Sequence, residues 1–98
     1  MPAFVISEVL RVLDEDAAAR YRPLARASVL AHGGRYLLQT GDVHAIEGPW
    51  EEGQRIVVMR FPSVEAARDW YDSAEYAEAR AIAPAAFERR LVVAPGLP

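Results

Sequence analysis

The sequence contains neither cysteine nor lysine. The missing cysteines exclude a disulfide framework, a thiolate nucleophile and any sulfur-ligated zinc or iron–sulfur centre. The missing lysines leave arginine to supply all 11 basic residues, which reads as gene base composition rather than function. Positive charge is not in excess: 14 acidic residues set the net charge at −3, and Arg89-Arg90 is too short a cluster to outvote them. A nucleic-acid binder needs a basic stripe, so that partner is not expected. No apolar run approaches the ~20 residues that span a bilayer, so no membrane partner is expected either. Met1-Pro2-Ala3-Phe4 has no basic region ahead of an apolar one, as a signal peptide would, and cytoplasmic residence is expected.

With 98 residues, 52% of them hydrophobic, the chain has material for one core, and residues 1–98 are expected to form a single domain. Residues 3 to 13 are rich in Phe, Val, Ile and Leu and predict a first strand. Asp14, followed by Glu15 and Asp16, predicts a helix start. Ala17, Tyr21, Leu24, Ser28 and Ala31 recur at helical spacing, and Gly33-Gly34 supplies the stop. Pro23 predicts a kink or broken turn near Arg22. A second strand is expected over 35–40, an extended return over 43–47, and a third strand over 55–61. Pro62-Ser63 caps a second helix carrying Val64, Ala67, Trp70, Tyr71 and Ala74, with Ser73 able to reset the cap and Pro84 expected beyond the helix end. Leu91 to Ala94 predicts the fourth strand.

The order β-α-β-β-α-β predicts an α+β, ferredoxin-like domain: a four-stranded antiparallel sheet with two helices on one face. The runs Ile56 to Met59 and Leu91 to Val93 are apolar on both sides, yet two helices cover only one. The bare face measures roughly 400 Å², from ~4.8 Å between strands and ~3.3 Å per residue. A second copy packed sheet to sheet is the simplest cover, so a homodimer is expected, with Val57 or Val58 pointing into the layer between the sheets.

The strings Gly33-Gly34-Arg35-Tyr36-Leu37, Glu47-Gly48-Pro49-Trp50, Phe61-Pro62-Ser63 and Trp70-Tyr71-Asp72-Ser73-Ala74-Glu75-Tyr76 fall in one order through nearly the whole chain. In that pattern the sequence closely resembles the domain of unknown function 1330 family. The resemblance implies a dimeric α/β barrel, of the superfamily that includes cofactor-free monooxygenases, muconolactone isomerases and haem proteins of the chlorite-dismutase type. It implies no reaction.

His32 and His44 are the only histidines, and neither stands in a metal-ligand spacing, so no metal and no cofactor are expected. His32 reads as a favourable cation at a helix end. Trp70, Tyr71 and Tyr76 read as core. Glu47, Trp50 and Arg55 cluster around a loop shaped by Gly48 and Gly53, where binding residues concentrate. Either Glu47 pairs with Arg55 across adjacent strands and Trp50 plugs the barrel mouth, or these residues face a ligand together with His44. The expected function is that of a small homodimeric barrel protein whose cleft takes a small organic molecule. One alternative is a cofactor-free enzyme, isomerase-like or monooxygenase-like, acting on a small organic acid or aromatic, with Tyr36, His44, Glu47 and Arg55 as acid, base and anion holder. Another, an RNA-recognition-type module, is disfavoured because the third strand lacks aromatics for base stacking.

Overall fold

The computed structural model describes residues 1–98. Its elements are β1 (Ala3–Val12), α1 (Glu15–Ala31), β2 (Arg35–Thr40), β3 (Arg55–Phe61), α2 (Val64–Asp72), α3 (Ala74–Ala86) and β4 (Phe87–Pro95). The strands form one antiparallel sheet in the order β2-β3-β1-β4, the ferredoxin-like arrangement. Its core is a single cluster of buried side chains between the sheet and the helices, with Val29, Phe61, Trp70 and Tyr76 fully enclosed.

Local chemistry sets the helix ends. The Asp14 carboxylate accepts from the backbone N–H groups of Asp16 and Ala17, satisfying donors that a first helical turn leaves free. At the other end Gly34 N–H donates to the Val29 carbonyl and Gly33 N–H to that of Leu30, the paired closure that a left-handed residue permits. Gly33 adopts φ 75, and a Cβ on Gly34 would stand 2.6 Å from the Phe61 ring. A side chain would strain the backbone at Gly33 and clash at Gly34. His32, just beforehand, bonds through Nε2 to Glu75 Oε1 at 2.7 Å and ties the end of α1 to the start of α3.

Several sequence expectations are corrected. The second helix is two, divided at Ser73, whose hydroxyl accepts from Tyr76 N–H as the cap of α3 and donates to the Trp70 carbonyl at the end of α2. Three helices therefore cover the face. Pro84 lies inside α3 rather than beyond it, in the last turn, where only one carbonyl loses its bond. Pro23 does not break α1: the helix is continuous to Ala31, held by the buried face of Tyr21, Ala25, Ser28 and Val29. Residues 43–47 form no strand, because β3 already occupies the inner edge of β2 and no further strand lies beside the segment. Finally, β4 starts at Phe87, four residues earlier than expected.

Candidate functional site

The register of the sheet decides which side chains meet. Val5, Ser7 and Val9 of β1 face the helices, and pairing ranks the helix-facing residues of the other strands in rows. One row is Arg55–Val9–Arg89. The next is Gln39–Val57–Ser7–Leu91, and below it lies Tyr36–Met59–Val5–Val93. Two arginines thus stand on the same row, their backbones separated by one strand, or about 10 Å at ~4.8 Å per strand.

Between these rows and the helices is a cavity of about 50 Å³. Its floor is Ser7, Val9, Val57 and Met59, and Tyr21, Trp70 and Phe87 wall it. Arg22 from α1 joins Arg55 and Arg89, while no aspartate or glutamate lines it. A chain with more acids than bases has gathered three cations around one small space.

Arg89 is the one of the three held by side-chain hydrogen bonds. It donates to the Tyr21 hydroxyl at 2.9 Å and to the Tyr76 hydroxyl at 3.0 Å, and these hydroxyls lie 2.7 Å apart. Its guanidinium also stacks over the Tyr21 ring, 4.9 Å from the centroid. It has no carboxylate within ion-pair distance, although four other pairs form on the surface. Two of its five N–H donors are used on neutral oxygens.

Hydrogen accounting assigns a direction to the triad. Tyr76 is fully buried and its only hydroxyl acceptor is Tyr21, so its hydrogen goes there. Tyr21 then receives from both Arg89 and Tyr76, and its own hydrogen is left for whatever occupies the cavity. Two donors polarising one hydroxyl make it a strong donor in turn.

Burial, and next the neighbouring Tyr21, raise the ionisation of Tyr76 far above that of a free phenol, and burial raises that of Tyr36. Neither tyrosine is a base near neutrality. Because their folded pKa values exceed 10, the unfolded chain loses these protons first as pH climbs, and folding stability falls. The tyrosine contribution to folding stability is expected to be flat between about pH 7 and pH 9 and to fall above about pH 10, by up to ~1.4 kcal/mol per pH unit per tyrosine. Thermal melts of wild type and Tyr76→Phe check this, the fall being shallower in the variant.

Of the residues singled out in the sequence, Tyr36 and Arg55 line this cavity. His44, Glu47 and Trp50 lie on the Gly41–Gln54 arm that joins β2 to β3 and line neither the cavity nor the two clefts beside β4. His44 pairs with Asp42 at 3.0 Å, both well exposed. Glu47 makes no ion pair with Arg55. Arg89, Tyr21, Tyr76 and Ser7 are not among the site candidates of the sequence, in which Tyr21 and Tyr76 read as packing residues. A period of two running back from Val93 and Leu91 through Arg89 to Phe87 is the signal that places Arg89 on the inner face. A wider cleft of about 400 Å³ between α2 and β4 is mostly apolar, with Arg68 and Asp72 its only charged residues and no convergent donors. No three acidic or histidine side chains come together as metal ligands, and no helix is long and apolar enough to cross a membrane.

A family model described as domain of unknown function (DUF1330) matches residues 2–97. No curated protein matches the sequence. Among solved structures, the chain is similar to RPA0582, a protein of unknown function from Rhodopseudomonas palustris, at 22% identity and TM-score 0.78, over 99% of this chain and 83% of that one. It is similar to SnoaB, a cofactor-independent oxygenase from Streptomyces nogalater, at 8% identity and TM-score 0.67, over 97% and 92%. A dimeric protein of unknown function with a ferredoxin-like fold from Bacteroides fragilis matches at 13% identity and TM-score 0.54, over 95% and 94%. At these identities the likeness is one of fold.

Proposed function

Starting from the premise that the chain belongs to the domain of unknown function 1330 family, we propose that it works as a homodimer whose helix–sheet cavity binds a small organic acid. The observation that carries this reading is the set of three arginines around a space with no acid, Arg89 being half-buried without a counter-ion. A carboxylate there gains charge-assisted hydrogen bonds and relieves the cation of its missing partner. Arg89 and the Tyr21 hydroxyl are the primary contacts, and Arg55, Arg22 and Tyr36 guard the mouth. In this reading His44, Glu47 and Trp50 stay outside the cavity, on the Gly41–Gln54 arm. The dimer is supported by the apolar outer sheet face and by the dimeric relative of like fold.

Trp70 lines the cavity and Trp50 does not, so fluorescence separates them. A screen of short aliphatic acids is expected to yield binders that perturb emission in wild type and Trp50→Phe but not in Trp70→Phe. Arg89→Met should weaken them by ~1.5–3 kcal/mol, as for a charge-assisted bond. Affinities unchanged in Arg89→Met would refute the site.

A second reading is a cofactor-free reaction on the bound acid. It is favoured by the polarised Tyr21 hydroxyl beside Arg89, a donor pair suited to a developing enolate oxygen. The similarity to a cofactor-independent oxygenase agrees with it at the level of fold. No histidine or carboxylate lines the cavity, so the proton acceptor has to be the substrate itself or solvent. Oxygen uptake or isomer formation by wild type, lost in Arg89→Met, is the expected sign.

A further inference from the structure

Ser7 is 2% exposed, and its hydroxyl is the one buried side-chain polar atom without a hydrogen-bond partner. It lies in the middle of the sheet on the cavity floor, with Val57 opposite on one side and Leu91 on the other. A hydroxyl buried without a partner costs about 1–3 kcal/mol, and alanine would fit the same strand position at no such cost. Arg89 is two residues along β4 from Leu91, so Ser7 and Arg89 are diagonal neighbours on one face of the sheet, ~7–8 Å apart at the backbone. The Arg89 side chain spans part of that gap. Both groups border a space of about 50 Å³, room for only three to five water-sized groups at ~10–15 Å³ each.

We infer that the Ser7 hydroxyl reads a second oxygen on the ligand, so that the site takes short hydroxy or oxo acids in preference to plain carboxylic acids. This rests on the anion site at Arg89. The carboxylate lies at Arg89 and Tyr21, and a hydroxyl or keto oxygen one or two carbons away meets Ser7. The hydroxyl donates to a keto oxygen or exchanges donor and acceptor roles with an alcohol. Val9, Val57 and Met59 enclose the carbon skeleton and leave no room for a long chain. A hydrogen-bonding group that stays unpaired with the wrong ligand is also the device by which sites discriminate most strongly.

The test is calorimetric titration of propionate, lactate and pyruvate, and of butyrate and 3-hydroxybutyrate, into wild type and Ser7→Ala. Wild type is expected to bind an oxygenated acid at least ~10-fold more tightly than its plain counterpart, or ~1.4 kcal/mol. In Ser7→Ala that ratio should collapse to within about twofold, with the plain acid's affinity unchanged. The melting temperature of ligand-free Ser7→Ala should be equal to or above wild type, since an unpartnered hydroxyl is removed. Acids that bind with the same ratio in both proteins overturn the role of Ser7 while leaving the anion site intact. A ligand-free variant that melts several degrees lower also overturns it, because the hydroxyl is then structural. If none of the five acids binds wild type, both the anion site and this inference fall.

Discussion

Val58→Asp is expected to convert the protein from dimer to monomer at concentrations where wild type stays paired. Pairing ranks Leu38, Val58, Ile6 and Val92 in one row across all four strands on the face away from the helices. Val92 and Leu38 remain 43% and 42% exposed, a large apolar exposure for mid-strand residues. Polar groups frame the row, with the Glu8–Arg90 ion pair on one side and Arg60 on the other. An apolar band with a charged border is the usual anatomy of an interface between subunits. An aspartate at its centre would be buried without a partner, at a cost of about 3–5 kcal/mol. Sedimentation should then report 10.8 kDa instead of twice that value. Val57→Asp tests the opposite face: Val57 lies on the cavity floor, so it should lower stability at any concentration. If wild type is itself monomeric at micromolar concentration with an unchanged melting temperature, the dimer is refuted.

Trp70→Ala is expected to cost about 3–5 kcal/mol of folding stability, the range for an aromatic removed from a core. Trp70 is 1% exposed and is the largest enclosed side chain. Its ring lies 5.4 Å from that of Phe61 and 4.4 Å from that of Tyr76, and its indole N–H donates to Ser28 Oγ at 2.9 Å. Ser28 in turn donates to the Ala25 carbonyl, so the bond links α2 to α1. Losing the ring opens a void beside Tyr76 and loosens the triad that holds Arg89. At ~4–8 °C per kcal/mol for a domain of this size, the melting temperature should drop by at least ~12 °C. Trp70→Phe, which keeps much of the volume, should fall far less. Equal losses in the two variants would mean that the indole bond to Ser28, not packing, carries the stability.

Several features were legible because their signals are local. Asp14, Ser63 and Ser73 cap helices through atoms two or three residues away, and Gly33-Gly34 closes α1 within one turn. The apolar runs of β1 and β3, the order of the elements and the family resemblance therefore stood in the sequence itself. The end of the second helical region and the start of the fourth strand did not. Pro84 reads as a helix stop, and the apolar strand signal begins only at Leu91, after Phe87-Glu88-Arg89-Arg90. The strand is possible there because Phe87 and Arg89 face inward, while Glu88 pairs with Arg11 and Arg90 with Glu8.

The sequence alone determined the class of fold, a sheet with one face to spare, and the absence of cysteine chemistry. Only the tertiary structure decided what the inward-facing arginine meets. Arg89 meets Tyr21, 68 positions earlier, because β4 pairs with β1 in a register that sets Arg89 beside Val9 and beneath α1. Register and helix packing are fixed by the joint burial of residues far apart in the chain. A shift of one residue would have sent Arg90 into the cavity and Arg89 to the outer face, and nothing within the pair distinguishes them.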